Sequence, residues 1–204
     1  MRPHSLNQSW TLWVNGGRDE NRKLAGQRML CNIGTVEEFW QAVTHLKPIV
    51  EIDDDFAEIQ FFKHGVKPEE NDPGNASGGQ WILRIKRAGT QTRNQLDFLL
   101  DVATVWEHLL MSVIGGSFSK DKVYSPAEIQ GVVFLVFPDE FWISVWNKTA
   151  LNPTIVNAIR EELDATLEKH LGRLGGVIFE YLPHSQALES PKHRHKHRGH
   201  HLHY

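Results

Sequence analysis

Half of the twelve histidines stand in the last fourteen residues. There His193, His195, His197, His200, His201 and His203 are interleaved with Lys192, Arg194, Lys196 and Arg198, and no acid is present. Such a tract binds transition metals weakly and becomes more cationic as pH falls toward about 6. It has no apolar pattern from which to build a core, so residues 187–204 read as a disordered basic tail. A solvated tail without a ligand, attraction for RNA, and metal binding are its three readings. Elsewhere the chemistry is sparse. Asp53, Asp54 and Asp55 are consecutive acids that form a solvated loop rather than converge on a cation. No G-x-S-x-G, P-loop or H-E-x-x-H pattern occurs, so the chain reads as a non-enzyme without catalytic residues, cofactor or resident metal. Trp142 and Trp146 share a strand face with Ser144 between them, which suits either a stacking surface or core packing.

Composition narrows the setting. A single cysteine, Cys31, excludes an internal disulfide and a Cys-rich zinc site, and suits a reducing compartment: the cytoplasm, with a nuclear pool. Removing the four tail cations takes the formal charge from −3 to −7. The body is therefore acidic and a poor general binder of phosphate backbones, which need clustered Lys and Arg. No apolar run approaches the roughly 18 residues of a membrane helix, and residues 1–9 are polar and too short for a signal peptide. With 204 residues, 40% of them apolar, the chain suits one domain with a real core.

The elements that must position these residues alternate strand pairs with single helices. Residues 10–14 (WTLWV) and 27–33 (QRMLCNI) read as strands. Thr35 and Glu38 form a capping box that opens a helix carrying Val36, Phe39, Trp40, Val43 and Leu46 at helical spacing, with Pro48 beyond it. Residues 57–63 and 80–87 are strands flanking a loop rich in Gly, Pro, Asn and Asp. A long helix over 94–114 is lined by Phe98, Val102, Val105, Trp106, Leu109 and Val113 and stopped by Gly115-Gly116. Residues 128–137 are a central strand and 141–146 its hairpin partner. Asn152-Pro153 starts a third helix with its apolar stripe from Ile155 to Leu171, and 176–181 is the last strand. Three amphipathic helices and about seven strands with no βαβ glycine fingerprint predict α+β, an antiparallel sheet with helices on one face.

The ordered set His4-x-Leu6, Trp10-x-Leu12-Trp13 and Thr35-Val36-Glu37-Glu38-Phe39-Trp40 resembles the N-terminal signature of the translation initiation factor 4E family. Phe62-Lys63-x-Gly65-Val66-x-Pro68 with Asn75-x-x-Gly78-Gly79-x-Trp81 is similar to its middle motif. Trp106 with Gly115-Gly116-Ser117-Phe118, Gly131-Val132-Val133 with Ile143-x-Val145-Trp146, and Tyr181-x-x-His184 resemble its later elements, over about Met1 to His184. The resemblance implies a strongly curved antiparallel sheet of about seven to eight strands with three helices on its convex face, over a domain of residues 1–186. It implies recognition of the 7-methylguanosine cap of messenger RNA on the concave face. There two tryptophans sandwich the methylated base by cation–π stacking, a glutamate reads its edge, and Arg and Lys hold the phosphates. It also implies that the convex face docks the helix of a 4G-type scaffold or 4E-binding protein carrying a Tyr-x-x-x-x-Leu-apolar motif.

Matched residue by residue, the cap positions are mostly substituted. The clamp tryptophans fall on Lys23 and Glu70, the glutamate on Asn71, and the phosphate ligands on Phe137 and Trp142, while Trp146 remains. Realignment rescues neither clamp residue: residues 14–34 contain no aromatic, and 63–80 none but His64. Base–aromatic stacking is worth roughly 1–3 kcal/mol per face and the cation–π term about 0.5–2 kcal/mol. Losing both faces therefore removes about three orders of magnitude in affinity. The partner-binding positions match better, at His4, Val36, Trp40, Met111 and Gly115, although one apolar contact becomes Glu107. Phe39 and Val43 already give that helix an inward face, which leaves Trp40 at its edge as an anchor for a partner. The reading is a monomeric translation factor, free of membranes, that acts in initiation or its regulation through partner docking. A cap-independent decoy that sequesters initiation partners, and an RNA- or metal-binding protein acting through its tail, are the alternatives.

Overall fold

In a computed structural model of the protein, the residues described are 3–16, 26–48, 57–87, 94–116, 118, 123–137 and 139–189. The strands β1 (Ser5–Gly16), β2 (Arg28–Thr35), β3 (Ala57–Lys63), β4 (Gly79–Lys86), β5 (Ile129–Val136), β6 (Glu140–Asn147) and β7 (Val177–Pro183) form one sheet in the order β2-β1-β3-β5-β6-β4-β7. Every neighbouring pair is antiparallel. The helices are α1 (Val36–His45), α2 (Gln95–Ile114), α3 (Pro153–Leu171) and α4 (His184–Glu189). The expected α+β sheet of the curved type is thus present. One helix, α4, was not among the three expected, and it carries the chain across the boundary expected after residue 186.

Alternation along each strand divides the sheet into two apolar layers. Leu12, Phe61, Leu83, Val132, Phe134, Ile143 and Val145 face the helices and pack with Phe39 of α1, Val102, Trp106 and Leu109 of α2, and Ile159 and Leu163 of α3. The intervening residues Phe62, Ile82, Val133, Leu135, Trp142, Trp146 and Leu182 form a smaller cluster on the opposite face, closed by Ala187 of α4. With both faces covered, all eight residues of β5 are buried, which is why its sequence, IQGVVFLV, is nearly continuous in apolar residues. Gly131 is required there: a Cβ would lie 2.7 Å from the Phe62 ring, next to a register irregularity between β5 and β6.

The helix boundaries follow local chemistry. The Thr35 hydroxyl accepts from the Glu38 N–H at 3.2 Å and the Glu38 carboxylate accepts from the Thr35 N–H at 3.1 Å, completing the capping box of α1. Asn94 caps α2 and Asn152 caps α3, each accepting through its side-chain oxygen. The strands extend beyond their apolar cores, β1 most of all, because pairing with β2 on one side and β3 on the other satisfies its backbone.

Candidate functional site

Two surfaces carry the positions that the sequence singles out, one on each side of the sheet. On the side opposite α1, α2 and α3, β6 presents Trp142, Ser144 and Trp146, and its neighbours in register are Arg84, Ile82 and Gln80 of β4. Trp146 is 4% exposed. Its indole N–H donates to the Ser144 hydroxyl at 3.2 Å, the Phe62 ring meets it edge-on at 5.1 Å, and the His184 ring lies 4.3 Å away. His184, the first residue of α4, is fully buried, and its Nδ1–H donates to the Asn75 carbonyl at 2.8 Å. Burial pushes the His184 pKa down, partly opposed by the hydrogen bond to the Asn75 carbonyl and then by the Glu70 carboxylate.

That contact ties the loop after β3 to the sheet. The Asn75 side chain donates to the carbonyls of Lys67 and Glu69 at 2.8 and 2.9 Å, and Asp72 accepts from the Gly74 N–H at 2.8 Å. Glu70 and Asn71 ride on this knotted turn, Glu70 half-buried and Asn71 exposed. Lys23 lies outside the described residues.

At the other end of the cluster, Phe137 and Trp142 are brought together with ring centroids 5.1 Å apart. The Arg84 guanidinium covers the Trp142 ring at 4.3 Å and pairs with Glu180 at 2.6 Å. Trp142 is 5% exposed. Neither Trp142 nor Trp146 presents an open ring face, so both pack the second apolar layer rather than offer a stacking surface. Phe137 and Trp142, the positions that the resemblance matches to phosphate ligands, form an aromatic pair capped by a cation whose charge Glu180 already balances.

Sequence reasoning missed several groups on this face. Glu58 and Gln60 of β3 are buried; Asn15 and Gln60 donate to the Glu58 carboxylate at 3.0 and 2.7 Å, and Gln27 donates to Gln60 at 3.0 Å. Trp13 packs against the same cluster, and its indole nitrogen has no hydrogen-bond partner among the described residues. Period-two alternation in AEIQFFK would have placed Glu58, Gln60 and Phe62 on one face. No local signal identifies Arg84, because its partners Trp142 and Glu180 come from other strands.

On the helical side, α1 supplies Val36 and Trp40, 37% and 47% exposed. Phe39 turns inward instead, meets Trp40 edge-on at 5.2 Å and packs on Phe61. His4 is held beside α1: the Val36 N–H donates to its carbonyl at 2.9 Å. The Glu37 carboxylate accepts from its backbone N–H at 3.0 Å and meets its ring at 2.7 Å. Those His4 contacts keep the Glu37 carboxyl below its ordinary range. Met111 is half-buried and Gly115 exposed at the end of α2. A Cβ at Gly115 would approach the Met111 carbonyl to 2.6 Å, so only glycine keeps this surface flat without a shift.

A sequence model described as "Eukaryotic initiation factor 4E" matches residues 5–198. Among curated proteins, the chain is 36% identical over 154 residues to eukaryotic translation initiation factor 4E-4 of Caenorhabditis elegans, covering 76% of this chain and 62% of that relative's length. It is 28% identical over 189 residues to eukaryotic translation initiation factor NCBP of Oryza sativa subsp. japonica, covering 91% and 73%. Among solved structures, C. elegans eIF4E-3 in complex with the 4E-binding protein Mextli superposes with a TM-score of 0.75 at 24% identity, over 93% of this chain and 98% of that one. Ascaris suum eIF4E-3 in complex with the m7G cap gives 0.67 at 26% identity, over 82% and 86%.

Proposed function

The chain belongs to the eukaryotic initiation factor 4E family, and from that premise we propose that it acts in messenger RNA translation initiation or its regulation by docking a partner helix on its convex face. Trp40 carries the reading. The core of α1 is satisfied by Phe39, yet a second, larger aromatic stands half exposed beside Val36, where an anchor for an amphipathic helix belongs. Partners are 4G-type scaffolds or 4E-binding proteins, and the setting is the cytoplasm, with a nuclear pool. No helix among the described residues is long and apolar enough to cross a membrane.

The concave face supports a second statement: this protein does not grip a 7-methylguanosine cap between two aromatic rings. Its matching positions hold Lys23 and Glu70, and its tryptophans Trp142 and Trp146 are already enclosed. A cationic base needs a π surface, and the residue that matches the first clamp position in sequence is a cation, Lys23. That combination favours a cap-independent decoy that holds initiation partners away from messenger RNA.

A pull-down on 7-methylguanosine resin, paired with capture of a fragment bearing the Tyr-x-x-x-x-Leu-apolar motif, tests both statements. The expected result is fragment capture without resin retention, and loss of the fragment on Trp40→Ala. Methyl-dependent retention at micromolar affinity or tighter would overturn the cap statement, and unchanged capture by Trp40→Ala the docking statement. Deleting residues 191–204 is expected to change neither, which separates docking from ligands held by the basic tail.

A further inference from the structure

Histidines far apart in a sequence become a metal-binding unit only when the fold sets their rings side by side. His108 of α2 and His170 of α3 are such a pair, with ring centroids 4.3 Å apart and planes inclined at 44°, where the two helices pack on each other. Two imidazoles bound to one tetrahedral ion through nitrogens at about 2.0–2.1 Å hold their centroids about 5 Å apart. A side-chain adjustment of under about 1 Å brings this pair to that geometry. His108 is exposed and His170 half-buried, so an ion can reach them from water.

Hydrogen bonding settles which nitrogen of the neutral His108 ring is free. Its Nδ1 lies 2.9 Å from the Thr104 carbonyl, one turn earlier on α2, and a carbonyl only accepts. Nδ1 therefore carries the proton and Nε2 the lone pair, the arrangement of a ligating imidazole whose second nitrogen is anchored to the backbone. The His170 ring makes no hydrogen bond among the described residues. Burial, then the charges of His108 and Arg173, push the His170 pKa down; Asp101 opposes them and Lys169 adds to them. At pH 7 that ring is chiefly neutral, with a lone pair to give. The cations nearby are themselves offset. Arg173 lies 3.8 Å from the Asp101 carboxylate, and His170 stands in the last turn of α3, whose negative end favours a positive ion.

We propose that His108 and His170 form a transition-metal site that clips α2 to α3. Among the described residues no group of three or more His, Cys, Asp or Glu is placed to hold a metal ion, so water completes the coordination and the ion exchanges freely. Imidazole nitrogen selects Zn2+, Cu2+ or Ni2+ over Mg2+ and Ca2+, which take oxygen. The site stands apart from both the docking reading and the His-rich tail. No spacing along the chain announces it, because each helix supplies one ligand.

Thermal melting of the full chain with Zn2+ tests the site. An ion that binds only the folded chain raises the melting temperature, by roughly 5–10 °C at one hundred times its dissociation constant for a chain of this size. Metal held by the tail is open to folded and unfolded chains alike and leaves the melting temperature in place. The expected result is a rise with millimolar Zn2+ or Ni2+, none with Mg2+, and none with Zn2+ in His108→Gln or His170→Gln. Neither ring belongs to the buried core, so both variants should melt like the parent without metal. Deleting residues 191–204 should leave the rise intact. Carbethoxylation of histidines, mapped by mass spectrometry on the full chain, adds a readout at each residue. Zn2+ should protect His108 and His170 together, and His170 should lose its protection in His108→Gln. No rise in the parent overturns the proposal. So does a rise that survives in either variant or disappears with the tail, and so does protection confined to the tail histidines.

Discussion

On β6, Trp146 is enclosed by Phe62, Ser144 and His184; on α1, Trp40 stands half in water beside Val36. The same residue type serves the fold on one side of the sheet and is left half exposed on the other. The concave side of this chain has been filled from within. Phe137 and Trp142 pack ring against ring, Arg84 is stacked over Trp142 and neutralised by Glu180, and α4 closes the end through His184. The convex side keeps its apolar residues uncovered along both α1 and α2. The contrast teaches that binding capacity depends on which rings remain unpartnered once the core is satisfied, and not on how many rings the chain contains.

The largest effect that would break this contrast is at Trp146. Trp146→Ala should cost about 3–5 kcal/mol of folding stability, as for other buried large-to-small aromatic changes. Denaturant titration reads that loss, and fragment docking at a temperature where the variant is still folded should be unchanged. Near-native stability would mean that the ring is not part of the packed layer. Trp40→Ala should do the reverse, costing about 2 kcal/mol or more of partner affinity while the melting temperature moves little. A large drop in melting temperature would place Trp40 in the core instead.

Restoring the missing rings sharpens the comparison further. The double variant Lys23→Trp, Glu70→Trp should gain roughly 1–3 kcal/mol per ring toward 7-methylguanosine triphosphate, with a preference for the methylated base. Fluorescence titration beside the parent chain measures it. No gain would show that the filled floor, rather than the absent clamp, blocks the base.

The smallest effect is a pH slope. His184 is buried with its pKa pushed below the ordinary value of about 6.5. The unfolded chain therefore binds a proton that the folded chain resists. Its contribution to stability is fully present above pH of about 6.5 and is lost as pH falls toward the depressed folded value. Melting temperature should fall across that window, and His184→Asn, which can still donate to the Asn75 carbonyl, should flatten the fall. An identical slope in the variant would assign the pH dependence to other groups.

Much of the architecture was legible because its causes are local. The capping box at Thr35 and Glu38, the caps at Asn94 and Asn152, and the strand pattern of residues 129–136 announce their elements within a few residues. The lack of an aromatic residue in 14–34, and of any but His64 in 63–80, was equally plain, since it is a matter of composition alone. The helix α4 escaped notice because its six residues carry too little periodicity to register, and it is held by a bond from His184 to Asn75, far away in sequence. The role of Arg84 escaped for the same reason: its neighbours come from β6 and β7.

By itself, then, the sequence determined the α+β class, the order of the strands and long helices, the inward stripe of each long helix and the absence of aromatic residues from 14–34. All of these depend on residue type and short-range spacing. Only the tertiary structure decided that Trp142 and Trp146 are spent on packing while Trp40, Leu96 and Leu100 are not. Exposure is a property of what the rest of the chain brings alongside, and side chains brought together by strand pairing and by the return of the C-terminal helix leave no mark in the residues next to them.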